Sequence, residues 1–156
     1  MGPLEIKAKM EGWCAYQERC QYEVEQKLAS YALNQEQKQA IIAELISNRF
    51  IDEERYAEAY VSGKFNIKKW GKIKIRAYLK QKHISEYSIK KAFLQIDGDH
   101  YFNVLKQLAE NKYISFKTNE PDIQKQVKTQ RFLVSRGYEF DLITDALQEI
   151  KTKRTL

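Results

Sequence analysis

A chain of 156 residues that is 43% apolar and 12% aromatic can fill the core of one domain, or of a few small units sharing it, and is too apolar to stay disordered. Six glycines and two prolines are too few for a turn-dense all-β fold. Lys and Arg number 27 against 21 Asp and Glu, and the resulting +6 is concentrated: residues 64–91 hold ten basic residues and one acid, Glu86, so the remainder is mildly acidic.

No apolar run reaches the ~20 residues of a membrane span, and the N-terminus does not read as a signal peptide. Met1-Gly2-Pro3 is followed by Ile6 where a myristoylation signal has Ser or Thr. Cys14 and Cys20, six apart on what reads as one helix or its end, are poorly placed to bridge and do not make a metal site alone. A reducing cytoplasm is the expected setting, with no cofactor.

In chain order, apolar spacing is helical almost throughout. Asn34 reads as the N-cap of a helix over 35–48 that carries Ile41, Ile42, Leu45 and Ile46. Residues 53–66 place Tyr56, Ala57, Tyr60, Val61 and Phe65 on one stripe, and Asp52, Glu53 and Glu54 complement the helix dipole at its start. After a break at Trp70-Gly71, a helix over 71–82 turns Ile75 and Leu79 to the core. Ser85 caps a helix over 86–96, with Ile89, Ala92, Phe93 and Ile96 at i, i+3, i+4 and i+7. Asp97-Gly98, Glu120-Pro121 and Gly137 punctuate the remainder, Asp97 and Asp99 again suiting a first turn. Residues 140–151 repeat the pattern with Leu142, Ile143, Ala146, Leu147 and Ile150. No segment alternates with period two for more than a few residues, so the fold class is all-α.

The chain also repeats itself. Leu28, Leu79 and Leu133 correspond, as do Leu33, Ile84 and Tyr138 after the turn, and the pairs Ile41-Ile42, Ala92-Phe93 and Ala146-Leu147 follow at one fixed offset. Three tandem units of about three helices emerge, over 4–51, 52–96 and 97–151, the last lengthened by a loop around Asn111 to Asn119. Units of this kind stack into an elongated, curved helical solenoid, one continuous domain whose concave side can follow another surface.

Chemistry for catalysis is missing from the pattern. There is no Gly-rich phosphate loop, His/Cys cluster or nucleophile–base pair; His83 reads as a turn residue and His100 as a first-turn residue. The outstanding feature is the basic region: Lys64, Lys68, Lys69, Lys72, Lys74, Arg76, Lys80, Lys82, Lys90 and Lys91, interrupted by Phe65, Trp70, Tyr78 and Tyr87. Either it faces a polyanion or acidic partner, or it is a solvated face. Lys72, Arg76 and Lys80 lie at i, i+4 and i+8, one ridge of a helix. Lysine outnumbers arginine, which favours phosphate or acidic-surface contact over base reading. Trp70 either packs or stacks on a base. Residues 71–96 also read as a helix-turn-helix, but the second helix offers only Ser88, Lys90, Lys91 and Gln95 for base edges.

The run Phe50-Ile51-Asp52-Glu53-Glu54-Arg55-Tyr56-Ala57, then Tyr60-Val61, Lys64-Phe65, Lys69-Trp70-Gly71, Lys74-Ile75 and Leu79-Lys80-Gln81-Lys82-His83-Ile84-Ser85, resembles the RecX family of RecA regulators in order and spacing. Cys20 to Leu28 is similar to that family's first-repeat motif, with Cys20 where Ser is usual, and Phe132 to Leu147, with Ser135-Arg136-Gly137-Tyr138, to its third. The resemblance covers roughly residues 13–150. Ala32 and Arg49 depart from it where Gly is frequent, and Lys38 where an apolar residue is.

The resemblance implies nine helices in three repeats, binding to the RecA–DNA filament in its groove, and damping of RecA's ATPase, strand-exchange and co-protease activities, within DNA repair, recombination and the SOS response. Together these readings lead us to expect a cytoplasmic, non-enzymatic, monomeric protein whose partners are the RecA filament and single- and double-stranded DNA without sequence preference. The competing reading is an independent helix-turn-helix DNA-binding protein or transcription factor.

Overall fold

The structure, a computed structural model, describes residues 1–155, with side chains through Lys153. Among the described residues there are nine α-helices and no strand: α1 (Pro3–Tyr16), α2 (Gln21–Leu28), α3 (Gln35–Ser47), α4 (Glu53–Asn66), α5 (Lys72–Gln81), α6 (Glu86–Phe93), α7 (Gly98–Ile114), α8 (Asp122–Ser135) and α9 (Phe140–Thr155). Their starts follow local chemistry. The Asn34 side chain accepts from the Gln37 N–H at 2.8 Å, and Gln37 returns a bond to the Asn34 N–H, closing a capping box. Asp97 caps α7 by accepting from the His100 N–H at 2.9 Å.

The helices group into two compact units, one made of residues 1–60 with 78–92, the other of residues 61–77 with 93 onward. The first has a core of Ile6, Met10, Cys14, Val24, Leu28, Ile41, Ile42, Leu45 and Ile51. The second buries Val61, Phe65, Ile75, Tyr101, Leu105, Ala109, Leu133, Tyr138, Ile143 and Ala146. Leu28, Leu79 and Leu133 are each fully buried, and truncating any one to Ala costs about 2–5 kcal/mol.

Several expectations are adjusted. Cys14 and Cys20 do not share a helix: Cys14 is inside α1, Cys20 is the residue before α2, and both are buried free thiols. Burial raises both thiol pKa values, Cys14 to about 11, so neither is a reactive thiolate. α6 stops at Phe93 rather than 96, turning through an Ile96 N–H bond to the Phe93 carbonyl that leaves Leu94 in solvent. α7 runs to Ile114 and absorbs part of the loop expected around 111–119.

Turn chemistry separates the three leucines. The Ile84 N–H bonds the Leu79 carbonyl and the Tyr138 N–H the Leu133 carbonyl, each closing a Schellman turn with a left-handed residue, His83 (φ 61°) or Gly137 (φ 96°), just before. After Leu28 the turn closes differently, Tyr31 bonding Leu28 and Leu33 bonding Tyr31, so Ala32 needs no positive φ. Arg49 does take the left-handed conformation (φ 62°) that its glycine-favouring position demands.

Candidate nucleic-acid interface

The two units differ in charge. The second carries 16 Lys and Arg against nine Asp and Glu; the first carries 11 against 12. The sequence-predicted basic residues divide accordingly. Lys64, Lys68, Lys69, Trp70, Lys72, Lys74 and Arg76 belong to the second unit, whereas Lys80, Lys82, Lys90 and Lys91 belong to the first.

In the second unit the cations lie over aromatic rings. Trp70, half-buried at the turn before α5, has the Lys74 ammonium 4.4 Å and the Lys64 ammonium 4.8 Å from its ring. Lys72 sits 4.7 Å from the Tyr101 ring and 5.8 Å from that of Phe93, and the Arg76 guanidinium 5.4 Å from Phe93. Each such contact is worth roughly 0.5–1 kcal/mol at an exposed site. Lys68 and Lys69 extend into solvent. Trp70 thus supports two cations through its ring.

Backbone interlocking fixes this cluster. The Gly71 N–H donates to the Arg136 carbonyl at 2.8 Å and the Ile73 N–H to the Gly137 carbonyl at 2.9 Å. The Lys72 N–H donates to the Tyr101 hydroxyl oxygen at 2.9 Å, and that hydroxyl donates onward to Glu139. Burial first, then this Glu139 bond, pushes the Tyr101 pKa up, so the phenol stays protonated. A Cβ on Gly71 would lie 2.4 Å from the Gly137 carbonyl carbon and oxygen. With these N–H groups taken by protein oxygens, the start of α5 is no anion cradle of the kind helix termini can form. Positive side chains are what it offers.

Sequence reasoning missed Arg136 and Tyr101. Arg136 donates from its guanidinium to the Lys68 carbonyl, and the Tyr138 hydroxyl donates to the Lys69 carbonyl at 2.8 Å, so the third-repeat motif holds the turn that carries Lys68 and Lys69. The signal was present in Ser135-Arg136-Gly137-Tyr138, but its partner segment lies some seventy residues away.

In the first unit the cations face carboxylates. Lys80 pairs with Glu86 at 2.9 Å, Lys82 with Glu23 at 3.7 Å and Lys91 with Glu54 at 2.7 Å; Lys90 is exposed. Along the expected ridge, Lys72 and Arg76 lean on Phe93, and Lys80 is ion-paired with Glu86. The acids at the start of α4 do more than complement a dipole. Asp52 caps the helix at the Arg55 N–H, and Glu53 accepts from the hydroxyls of Ser85 (2.8 Å) and Ser88 (2.6 Å) and from the Ser85 N–H (3.2 Å). Arg55 joins Glu18 at 2.7 Å and the Arg49 carbonyl at 2.9 Å. Most of the central motif is fold-holding.

As a base-reading helix α6 is poorly equipped. Ser88 is 2% exposed and committed to Glu53, Lys91 is paired, and Gln95 lies beyond the helix end. His83 lies in the turn with its ring 4.4 Å from Tyr22, and His100 packs its ring edge-on against Phe65. No group of three or more His, Cys, Asp or Glu among the described residues could hold a metal, and no described helix is long and apolar enough to cross a membrane.

Known proteins resemble this chain in sequence and fold. Family models of the second and third three-helix domains of RecX match residues 52–92 and 99–147. The regulatory protein RecX of Vibrio campbellii is 35% identical over 127 residues, covering 81% of this chain and 79% of that protein. This chain belongs to the RecX family. RecX of Clostridium tetani is 33% identical over 129 residues, 82% of this chain, but the match spans 59% of that relative, and it spans 53% of RecX of Limosilactobacillus reuteri. The crystal structure of RecX from Lactobacillus salivarius superposes with a TM-score of 0.85 at 25% identity, over 96% of this chain and 97% of that one. The all-helical, tandem-domain fold is that of RecX.

Proposed function

We propose that this chain is a non-enzymatic, cytoplasmic regulator of a RecA recombinase that binds the RecA–DNA filament in its groove as a monomer and mainly restrains it. Its repeats, divided near residues 51 and 96, present the central cations to DNA phosphate, and the binding is blind to sequence. The observation that carries the reading is the second-unit cluster, six cations between Lys64 and Arg76 with no acid among them. Aromatic rings position four of these charges. Lysines used as point charges suit a repeating phosphate backbone. The transcription-factor reading loses support with α6, where Ser88 is buried and Lys91 is paired, which leaves Lys90 alone on the helix to reach a base edge.

The deciding experiment compares co-sedimentation of the protein with RecA filaments and its retention on the bare DNA, followed by RecA ATPase with increasing protein. Tighter association with filaments and a falling ATPase are expected. Equal retention on both, with the ATPase unchanged, ends the regulator reading. A DNA site selected over random sequence by ~4–10 kcal/mol points instead to the transcription factor.

A further inference from the structure

Charge in the C-terminal third of the chain is divided along the sequence. Residues 112–136 hold six Lys and Arg against two acids, whereas the stretches on either side, 97–111 and 137–151, hold two against seven. Of those two flanking cations, Lys106 is joined to Glu149 at 3.0 Å.

Helical spacing gathers the basic stretch into a line. Lys125, Lys128, Phe132 and Arg136 follow at i, i+3, i+7 and i+11 on α8 and its C-cap, within about 80° of one another at 3.6 residues per turn. The end of α7 closes on the same line. The Lys112 ammonium lies 4.8 Å from the Phe132 ring and 5.5 Å from that of Phe116, and Lys128 lies 5.4 Å from Phe116. Lys125 lies 5.4 Å from the Tyr113 ring, and the Arg136 guanidinium 5.9 Å from Phe132. At its far end Arg136 donates to the Lys68 carbonyl, so the line runs into the turn that carries Lys68 and Lys69, within the same compact unit.

The chemistry of this line favours a polyanion over a protein surface. A protein interface is built around an apolar centre. The exposed apolar side chains of α8, Ile123, Val127 and Val134, stand about half a turn away from Lys125, and Phe132 is half-buried beside Lys112 and Arg136. What faces outward along the line is positive charge. Glu120 offsets Lys128 by pairing with it, while Lys112 and Lys125 lie over rings and Arg136 meets a neutral carbonyl. From Lys125 to Arg136 the line runs ~16 Å at 1.5 Å per residue, the length of about five phosphates of one duplex strand at ~3.4 Å each.

We infer that α8 and the end of α7 form a second phosphate-binding track, built on Lys112, Lys125 and Arg136, which continues the central cations through Lys68 and Lys69 onto the third repeat. The inference rests on the DNA-binding part of the proposed function for the source of the phosphate.

The test reads bare DNA. Lys112→Gln with Lys125→Gln removes two charges of the line and leaves Arg136 holding the Lys68 turn. Lys106→Gln with Lys153→Gln is the control, removing two charges that face Glu149 and Glu110. On a random-sequence duplex the first pair should weaken binding about tenfold at low salt and flatten the slope of log K against log salt by roughly 1.5, at ~0.7–0.9 per contact, and the control should change that slope by less than about 0.5. A first pair with the parent's slope, or a control that flattens it equally, overturns the track. So does a first pair that loses association with RecA filaments while its bare-DNA slope stands, which would make α8 a protein-facing surface. Changing Lys64, Lys72, Lys74 and Arg76 to Gln separates this result from the proposed function. If that variant keeps the parent's slope while the first pair flattens it, the central reading fails and the track on α8 stands.

Discussion

Cations in the two units are held in opposite ways. In the second unit Lys64, Lys72, Lys74 and Arg76 rest on Trp70, Tyr101 and Phe93; in the first, Lys80, Lys82 and Lys91 rest on Glu86, Glu23 and Glu54. A carboxylate partner brings a counter-charge to the cation it orders, whereas a ring orders a cation through its quadrupole and brings no formal charge of its own. A basic stretch that looks uniform in sequence is thus split into a part laid over aromatic rings and a part that mostly closes ion pairs within the fold. Exposed pairs of the second kind add ~0–1 kcal/mol each to stability.

The most severe way to break the comparison is to displace the platform. Gly71→Ala sets a methyl against the Gly137 carbonyl, so we expect destabilisation of about 3 kcal/mol or more, a fall in melting temperature near 10 °C, and loss of DNA affinity although every cation remains. A normal melting curve refutes the interlock.

Next in size is neutralisation of the two groups. Changing Lys64, Lys72, Lys74 and Arg76 together to Gln should weaken DNA binding well over tenfold and flatten the slope of log K against log salt by roughly 3, at ~0.7–0.9 per phosphate contact. The matching change of Lys80, Lys82 and Lys91 should alter that slope by less than about 1. Equal slopes for the two variants would mean that pairing with carboxylates does not distinguish them.

Trp70→Leu sharpens the point by keeping every charge. Losing two ring contacts should cost about 1–2 kcal/mol of binding, seen as an affinity about five- to thirtyfold weaker by fluorescence anisotropy. An unchanged affinity would show that Lys64 and Lys74 do not need the ring.

The smallest effect belongs to the first unit. Burial pushes the Glu53 carboxyl up, but bonds from Ser88 and Ser85 outweigh it and hold its pKa below the usual value. A carboxyl lowered on folding contributes stability that is present above its unfolded pKa, near 4.3, and fades as pH falls through the folded value. Glu53→Gln should therefore cost about 1 kcal/mol at neutral pH and flatten the acid limb below about pH 4.5, with DNA binding unmoved. An acid limb as steep as the parent's would place the titration elsewhere.

Sequence made the helices, the three leucines and the basic region legible, because each rests on local spacing or composition. Asn34 could be read as a cap for the same reason: its bonds close within three residues. What spacing could not supply was pairing between distant segments. Whether Lys80 meets Glu86 and Lys72 meets Tyr101 depends on which helices abut, and Tyr101 lies 29 residues beyond Lys72. The end of α6 at Phe93 was hidden because Ile96 continues the apolar period after the helix has turned.

The close approach of Gly71 to Gly137 also constrains how this chain can vary. A side chain on either residue strikes backbone or a Cβ, so separation of the two segments would relieve both clashes at once. The two substitutions should therefore be strongly non-additive: after the first has forced the segments apart, the second has little left to disturb. The release is one-sided. Gly71 has no other need to be glycine once the contact is gone, whereas Gly137 still sits at φ 96°, where an L side chain is strained. Among related sequences, loss of Gly137 should be accompanied by drift at Gly71 far more often than the reverse.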